Sequence, residues 1–131
     1  DLIFTSPPYF NREAYSEDES QSYKKYGSSY ESWVKGFLQP TLESCVEYLK
    51  PNRYLLWNIA DLLIKGEYLP LEQDSIDILE NCGMIYHQKL KMGMTNMPGQ
   101  NRIDEETGLP KCKNFCKVDN RFHKYEPVYV F

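Results

Sequence analysis

Two adjacent prolines, Pro7 and Pro8, close an apolar run at residues 1–5, Asp1-Leu2-Ile3-Phe4-Thr5. Neither ring nitrogen can donate to a strand ladder, so a strand that reaches them must stop. The run does not alternate between apolar and polar positions, which predicts a strand buried on both faces of an α/β sheet. Open α/β sheets place their ligands just beyond the carboxyl ends of their strands. Ser6-Pro7-Pro8-Tyr9 therefore occupies a candidate site.

The rest of the chain supplies the partners such a strand needs. Residues 10–28 are polar, without periodicity, and read as a flexible loop with room for a short helix. Ser28 or Ser29 is placed to cap the next helix, with Glu31 in its first turn. Tyr30, Trp33, Val34, Phe37, Leu38, Leu42, Cys45, Val46 and Leu49 recur at threes and fours, predicting an amphipathic helix of about six turns. Pro40 should kink it, and Lys50-Pro51-Asn52 should end it. Residues 53–61 read as a second buried strand with Asp61 at its carboxyl end. Glu72 to Asn81 reads as a short helix with Gly83 at its C′ position. Met84 to Met92 alternates as a third strand, residues 93–120 form a long loop, and Tyr125 to Phe131 is a fourth strand or the first arm of a hairpin. This order predicts an α/β fold built on a doubly wound, mostly parallel sheet of Rossmann-like type.

Composition narrows the function classes. The 131 residues are 41% hydrophobic and 26% charged, a globular balance. A net charge of −4 argues against a protein that coats nucleic acid with a basic face. No apolar run approaches the ~20 residues of a membrane helix. The four cysteines, Cys45, Cys82, Cys112 and Cys116, do not form a secreted disulfide framework, so a reducing cytoplasm is expected. The chain starts and stops inside strand patterns, which predicts a fragment of a longer protein.

Two prolines in succession fix the direction of the carbonyls before them. The Ser6 hydroxyl and the Ser6 and Pro7 carbonyls can then accept hydrogen bonds from one NH2 group, while Tyr9 offers a ring face. That set suits an exocyclic base amine, whose lone pair is delocalised into its ring. Acceptors aimed at its two protons favour a pyramidal nitrogen, and a base must leave the duplex to reach them. The gain would come from positioning and oriented dipoles.

Asp1 to Tyr9 resembles the catalytic motif of the amino-type DNA methyltransferases, which modify cytosine N4 or adenine N6 in bacterial and phage restriction-modification systems. Glu47 to Leu55 resembles the family's helix, Lys-Pro turn and strand, and Arg121 to Phe131 its late motif, although Tyr125 stands where His is frequent. The resemblance covers nearly the whole chain. It implies S-adenosylmethionine as methyl donor and double-stranded DNA with a flipped base as partner. It implies catalytic roles for Ser6, Pro7, Pro8 and Tyr9, with Ser6 favouring cytosine N4, and cofactor-binding roles for Ser6 and Pro7. Phe10 and Phe122 are candidates to complete the base pocket, Arg121 to contact a phosphate, and Asp61 either to position substrate or to cap the following turn. The family's Phe-x-Gly-x-Gly cofactor motif is absent, since no two glycines lie two apart. Residues 1–131 are thus expected to be the catalytic half of a methyltransferase domain, inactive alone. Two alternatives are an RNA or protein-glutamine methyltransferase, which use Asn in place of Ser6, and a non-catalytic methyltransferase-like subunit that binds DNA.

The remaining features read more plainly. Cys112 and Cys116 with His123 lack a fourth zinc ligand and a finger spacing, so no metal is expected. Cys45, Cys82, Trp33, Phe37 and Trp57 are expected in the core. Lys24, Lys25, Arg102, Lys111, Lys113 and Lys117 are nearly balanced by acidic neighbours, which leaves Arg121 and one loop lysine as phosphate contacts.

Overall fold

The run before Pro7 forms strand β1, Leu2–Thr5, and it pairs in parallel with β2, Tyr54–Asn58, in the register Leu2↔Tyr54 to Thr5↔Trp57. The computed structural model describes residues 1–12, 16–94 and 103–131. Helices connect these two strands. In the 10–28 stretch a short helix, α1 (Ser22–Tyr26), is docked rather than loose: the Trp33 indole N–H donates to Ser22 Oγ at 3.4 Å, and Tyr26 packs on the core.

The helix expected as one kinked rod has three parts. These are α2 (Tyr30–Trp33), a π-helical segment (Val34–Leu38) and α3 (Gln39–Tyr48). Ser29 caps α2 by accepting from Ser32 N–H. Pro40 sits in the first turn of α3. It has no N–H to give, and its ring crowds the carbonyl four residues back. The turn ahead of it widens: Gln39 N–H bonds Val34 O, five residues back, and the Thr41 hydroxyl donates to Phe37 O at 2.7 Å. The strain expected at Pro40 is taken up in this widened turn. The turn also sets Trp33, Leu38 and Leu42, spaced by five and then four, all fully buried.

After β2 the chain makes a hairpin that the sequence reading missed. Strand β3 (Leu62–Ile64) pairs antiparallel with β4 (Glu67–Leu69) across Lys65 (φ 50°) and Gly66 (φ 89°). Two left-handed residues in succession are the signature of a two-residue hairpin turn. Helix α4 (Leu71–Asn81) follows, ending at Gly83 with φ 86°. The third strand is shorter than expected, β5 (Gln88–Gly93). The expected loop 93–120 contains β6 (Phe115–Val118), and β7 runs Arg121–Val130. β6 and β7 form a hairpin turned by Asp119 and Asn120, both at positive φ, so β7 is its second arm.

The expectation of a mostly parallel sheet is corrected. The strand order is β1-β2-β7-β5, with β6 on β7; β1·β2 is parallel, while β2·β7, β5·β7 and β6·β7 are antiparallel. A hairpin delivers β7 reversed, whereas a parallel strand needs a crossover. The sheet is mixed. Ile3, Leu55, Trp57 and Tyr129 pack with Trp33, Leu38, Leu42, Leu71 and Leu79 in one core. On the opposite face Leu2, Phe4, Tyr54, Leu90 and Met92 are exposed, so β1 is covered on one face and not on both as its apolar run predicts. Among the described residues the helices cover one face only, so the second helical layer of a doubly wound fold is not seen there.

Candidate active site

Ser6 follows β1 and is exposed, Pro7 is buried, and Pro8 and Tyr9 are half-buried. Tyr9 begins a turn in which its carbonyl accepts from Arg12 N–H at 3.1 Å. The Arg12 guanidinium then donates to Leu63 O at 2.7 Å, fastening this turn to β3. Tyr9 packs against the core on one side. On the other it lines a cleft of about 410 Å³ with Arg12, Asp61, Tyr68, Lys113, Lys124 and Glu126. The cleft opens where β1 and β2 end, as the strand-end rule requires.

Asp61 is the best-anchored group in it. One carboxylate oxygen accepts from Glu72 N–H at 3.0 Å, and Glu72 Oε1 accepts from Asp61 N–H at 3.2 Å. The other Asp61 oxygen takes the Lys113 ammonium at 2.9 Å. That hydrogen bond is the chief reason the Lys113 pKa lies above its ordinary value. Glu72 in turn accepts from Lys89 at 2.9 Å and from the Tyr129 hydroxyl. Burial pushes the Glu72 carboxyl up, yet the hydrogen bonds from Tyr129, Lys89 and the Asp61 backbone outweigh it, and the net shift is downward. Burial, and next the hydrogen bond to Glu72, push the Tyr129 phenol far up. Both Asp61 oxygens are engaged by protein groups, one at the start of α4 beyond the β3–β4 hairpin and one in the 112–114 segment.

The cleft therefore brings Tyr9 and Asp61 together, and its lining does not include the other expected site residues. Phe10 turns inward, with its ring edge-on to Tyr30 at 5.9 Å and Trp33 at 5.7 Å, so it builds the core behind Tyr9. Arg121 is exposed next to the β6–β7 turn. Phe122 is half-buried, with the Lys117 ammonium 5.9 Å from its ring centre. Tyr68, Glu72 and Lys124 are not singled out by the sequence, while Glu126 belongs to the late motif. The advance signal for Tyr68 is the Lys65-Gly66 turn, which carries it back towards Asp61.

Two of the loop cations satisfy acidic neighbours close in sequence. Lys24 lies 3.7 Å from Glu17 and 3.5 Å from Glu19, and Lys111 lies 4.0 Å from Asp104. Arg102 lies outside the described residues. Cys116 faces His123 across the β6–β7 ladder, and Cys112 lines the cleft. Among the described residues no three His, Cys, Asp or Glu side chains converge on a metal position.

The residues present fit an acceptor amine better than they fit a nucleoside-sulfonium cofactor. Exposed Ser6, the two prolines and the Tyr9 ring stand at the strand end. No described glycine follows a parallel strand to let backbone approach a cofactor's amino-acid part. Among the described residues no helix is long and apolar enough to cross a membrane.

No curated protein matches the chain. A crystal structure of a candidate DNA modification methylase from Thermus thermophilus superposes with a TM-score of 0.54 at 16% identity, covering 98% of this chain. The chain spans 42% of that protein's length. The DNA methylase family model, of the N6/N4 type, matches residues 1–131 from end to end, and the chain belongs to that family.

Proposed function

We propose that the protein transfers a methyl group from S-adenosylmethionine to the exocyclic amine of a base flipped out of duplex DNA, with cytosine N4 ahead of adenine N6. The observation that carries this reading is the Ser6-Pro7-Pro8-Tyr9 segment, which follows the carboxyl end of β1 and leads into the Tyr9 wall of the cleft. The cofactor supplies an electrophilic methyl when bound. Everything else asked of this chain concerns the acceptor.

The Ser6 hydroxyl and the Ser6 and Pro7 carbonyls accept from the two amine protons. This localises the nitrogen lone pair and aims it away from the turn. Pro8 holds the turn's geometry. Tyr9, its inner side packed on the core, presents a fixed face for the extruded base. One amine proton must leave as the N–C bond forms, and exposed Ser6 gives it a route to solvent. Serine at position 6 has no amide NH2 to compete as a donor, and its shorter side chain leaves room at the amine.

The test uses the full-length protein, labelled S-adenosylmethionine and plasmid DNA, followed by nucleoside mass spectrometry. N4-methylcytosine is the expected product, and N6-methyladenine would reverse the base preference. Full activity in both Ser6→Ala and Tyr9→Ala would sink the assigned roles.

A further inference from the structure

Lys113 stands apart from the other loop cations in what it reaches. Lys24 and Lys111 pair within their own loops. Lys113 instead bonds a carboxylate 52 positions away. Three contacts converge on this one residue. Its ammonium meets Asp61 Oδ2 at 2.9 Å and lies 4.3 Å from the centre of the Tyr68 ring, and its backbone N–H donates to the Tyr68 hydroxyl at 3.2 Å. The next residue, Asn114, adopts φ 66° and gives its carbonyl to Tyr125 N–H at 2.9 Å. Segment 112–114 is thus fastened at one end to β4 and Asp61 and at the other to β7. Cys112, Lys113 and Asn114 all line the cleft that contains Tyr9.

The pair is also asymmetric. The Asp61 side chain is 12% exposed and that of Lys113 is 53% exposed. A largely buried carboxylate that loses its cation is poorly compensated, while the exposed lysine could be replaced without disturbing the core. The fastening therefore acts on the exposed partner: it holds the segment, not the scaffold.

Resting on the base-methylating reading above, we infer that Lys113 is a positioning residue, which clamps segment 112–114 onto Asp61 and Tyr68 and so sets the wall opposite Tyr9 against which the flipped base is held. It makes no contact with the reacting amine. It lowers the cost of ordering that wall when the base arrives.

The test compares the full-length protein with its Lys113→Met and Lys113→Arg variants. Methionine keeps the stem and removes the charge; arginine restores the charge. Hydrogen exchange at the Tyr125 amide reads the clamp directly and needs no activity. Exposed ion pairs and cation–π contacts together lead us to expect about three- to tenfold faster exchange in Lys113→Met, with recovery in Lys113→Arg. In methylation of plasmid DNA, the KM for DNA should rise about three- to tenfold in Lys113→Met, with kcat little changed and arginine restoring KM. Unaltered exchange overturns the clamp. Faster exchange with an unaltered KM overturns its role in holding the base, and a loss in kcat alone would put Lys113 in the chemistry instead. Absence of DNA methylation by the unmodified protein defeats the functional reading, and with it the base-holding role, while the exchange measurement still decides the clamp.

Discussion

The indole N–H of Trp57 donates to Ser75 Oγ at 3.1 Å, and the Ser75 hydroxyl donates on to Leu71 O at 2.7 Å. Both side chains are buried, so this relay joins β2 to α4 inside the core. Ser75→Ala would strand the indole N–H without water. The expected cost is about 1–3 kcal/mol of unfolding free energy, measured by urea denaturation. Ser75→Thr should cost less, because it keeps the hydroxyl.

Glu72 is expected to make stability pH-dependent. Its folded-state pKa lies below the ordinary glutamate value. A group depressed on folding stabilises the fold above its unfolded pKa, and that contribution is lost as pH falls through the folded pKa. Unfolding free energy should therefore decline as pH drops below the ordinary carboxylate range of about 4. Glu72→Gln should be less stable at neutral pH and should flatten that decline. Denaturation series from pH 7 downward will show it, and identical slopes in the two proteins would refute the assignment.

Gly36 should not tolerate alanine. A Cβ there would lie 2.5 Å from Tyr26 Cδ1 and 2.9 Å from Tyr26 Cγ, close to the root of that side chain. α1 would have to lift off the π-helical segment. Overpacking of this kind costs about 1–3 kcal/mol, more than alanine's helix preference returns. Trypsin should cut Gly36→Ala faster at Lys24 or Lys25. Gly93→Ala is the control, since among the described residues no atom beyond its chain neighbours stands within 4 Å of its Cβ position.

Tyr9 is expected to act through its ring face. Tyr9→Phe should keep kcat/KM within about twofold. Tyr9→Leu keeps apolar volume against the core but removes the face, and should lose the stacking increment of about 1–3 kcal/mol per base. Steady-state methylation with a thermal melt of each variant separates loss of stacking from loss of fold.

The sequence made the local features plain and hid the pairings. β1, its proline stop, β2, α4 and the Gly83 terminus are written in short-range chemistry: missing donors, helical spacing and a left-handed glycine. The direction of β7 is not, because a buried strand has the same apolar pattern whichever way it runs. Only the Asp119-Asn120 turn encodes the reversal, and it lay inside a polar stretch read as loop. The same holds at the site. Ser6-Pro7-Pro8-Tyr9 can be read as a unit because its logic is contiguous. The engagement of Asp61 by Lys113 and Glu72 depends on the β3–β4 hairpin folding back, and the inward turn of Phe10 depends on where Trp33 sits.

The widened turn ahead of Pro40 has a genetic consequence. Residues 34–38 carry one residue more than a regular turn, which is why Trp33 and Leu38 share the core at a spacing of five. Losing one of them would close the turn to regular helix and leave these two side chains on one face at a spacing of four. It would also return the Pro40 ring to the carbonyl four residues back, at a cost of about 3 kcal/mol. In-frame loss of a single codon there should therefore weaken the fold through the proline while Trp33 stays in the core, whereas the same loss inside α3 should also break the packing register.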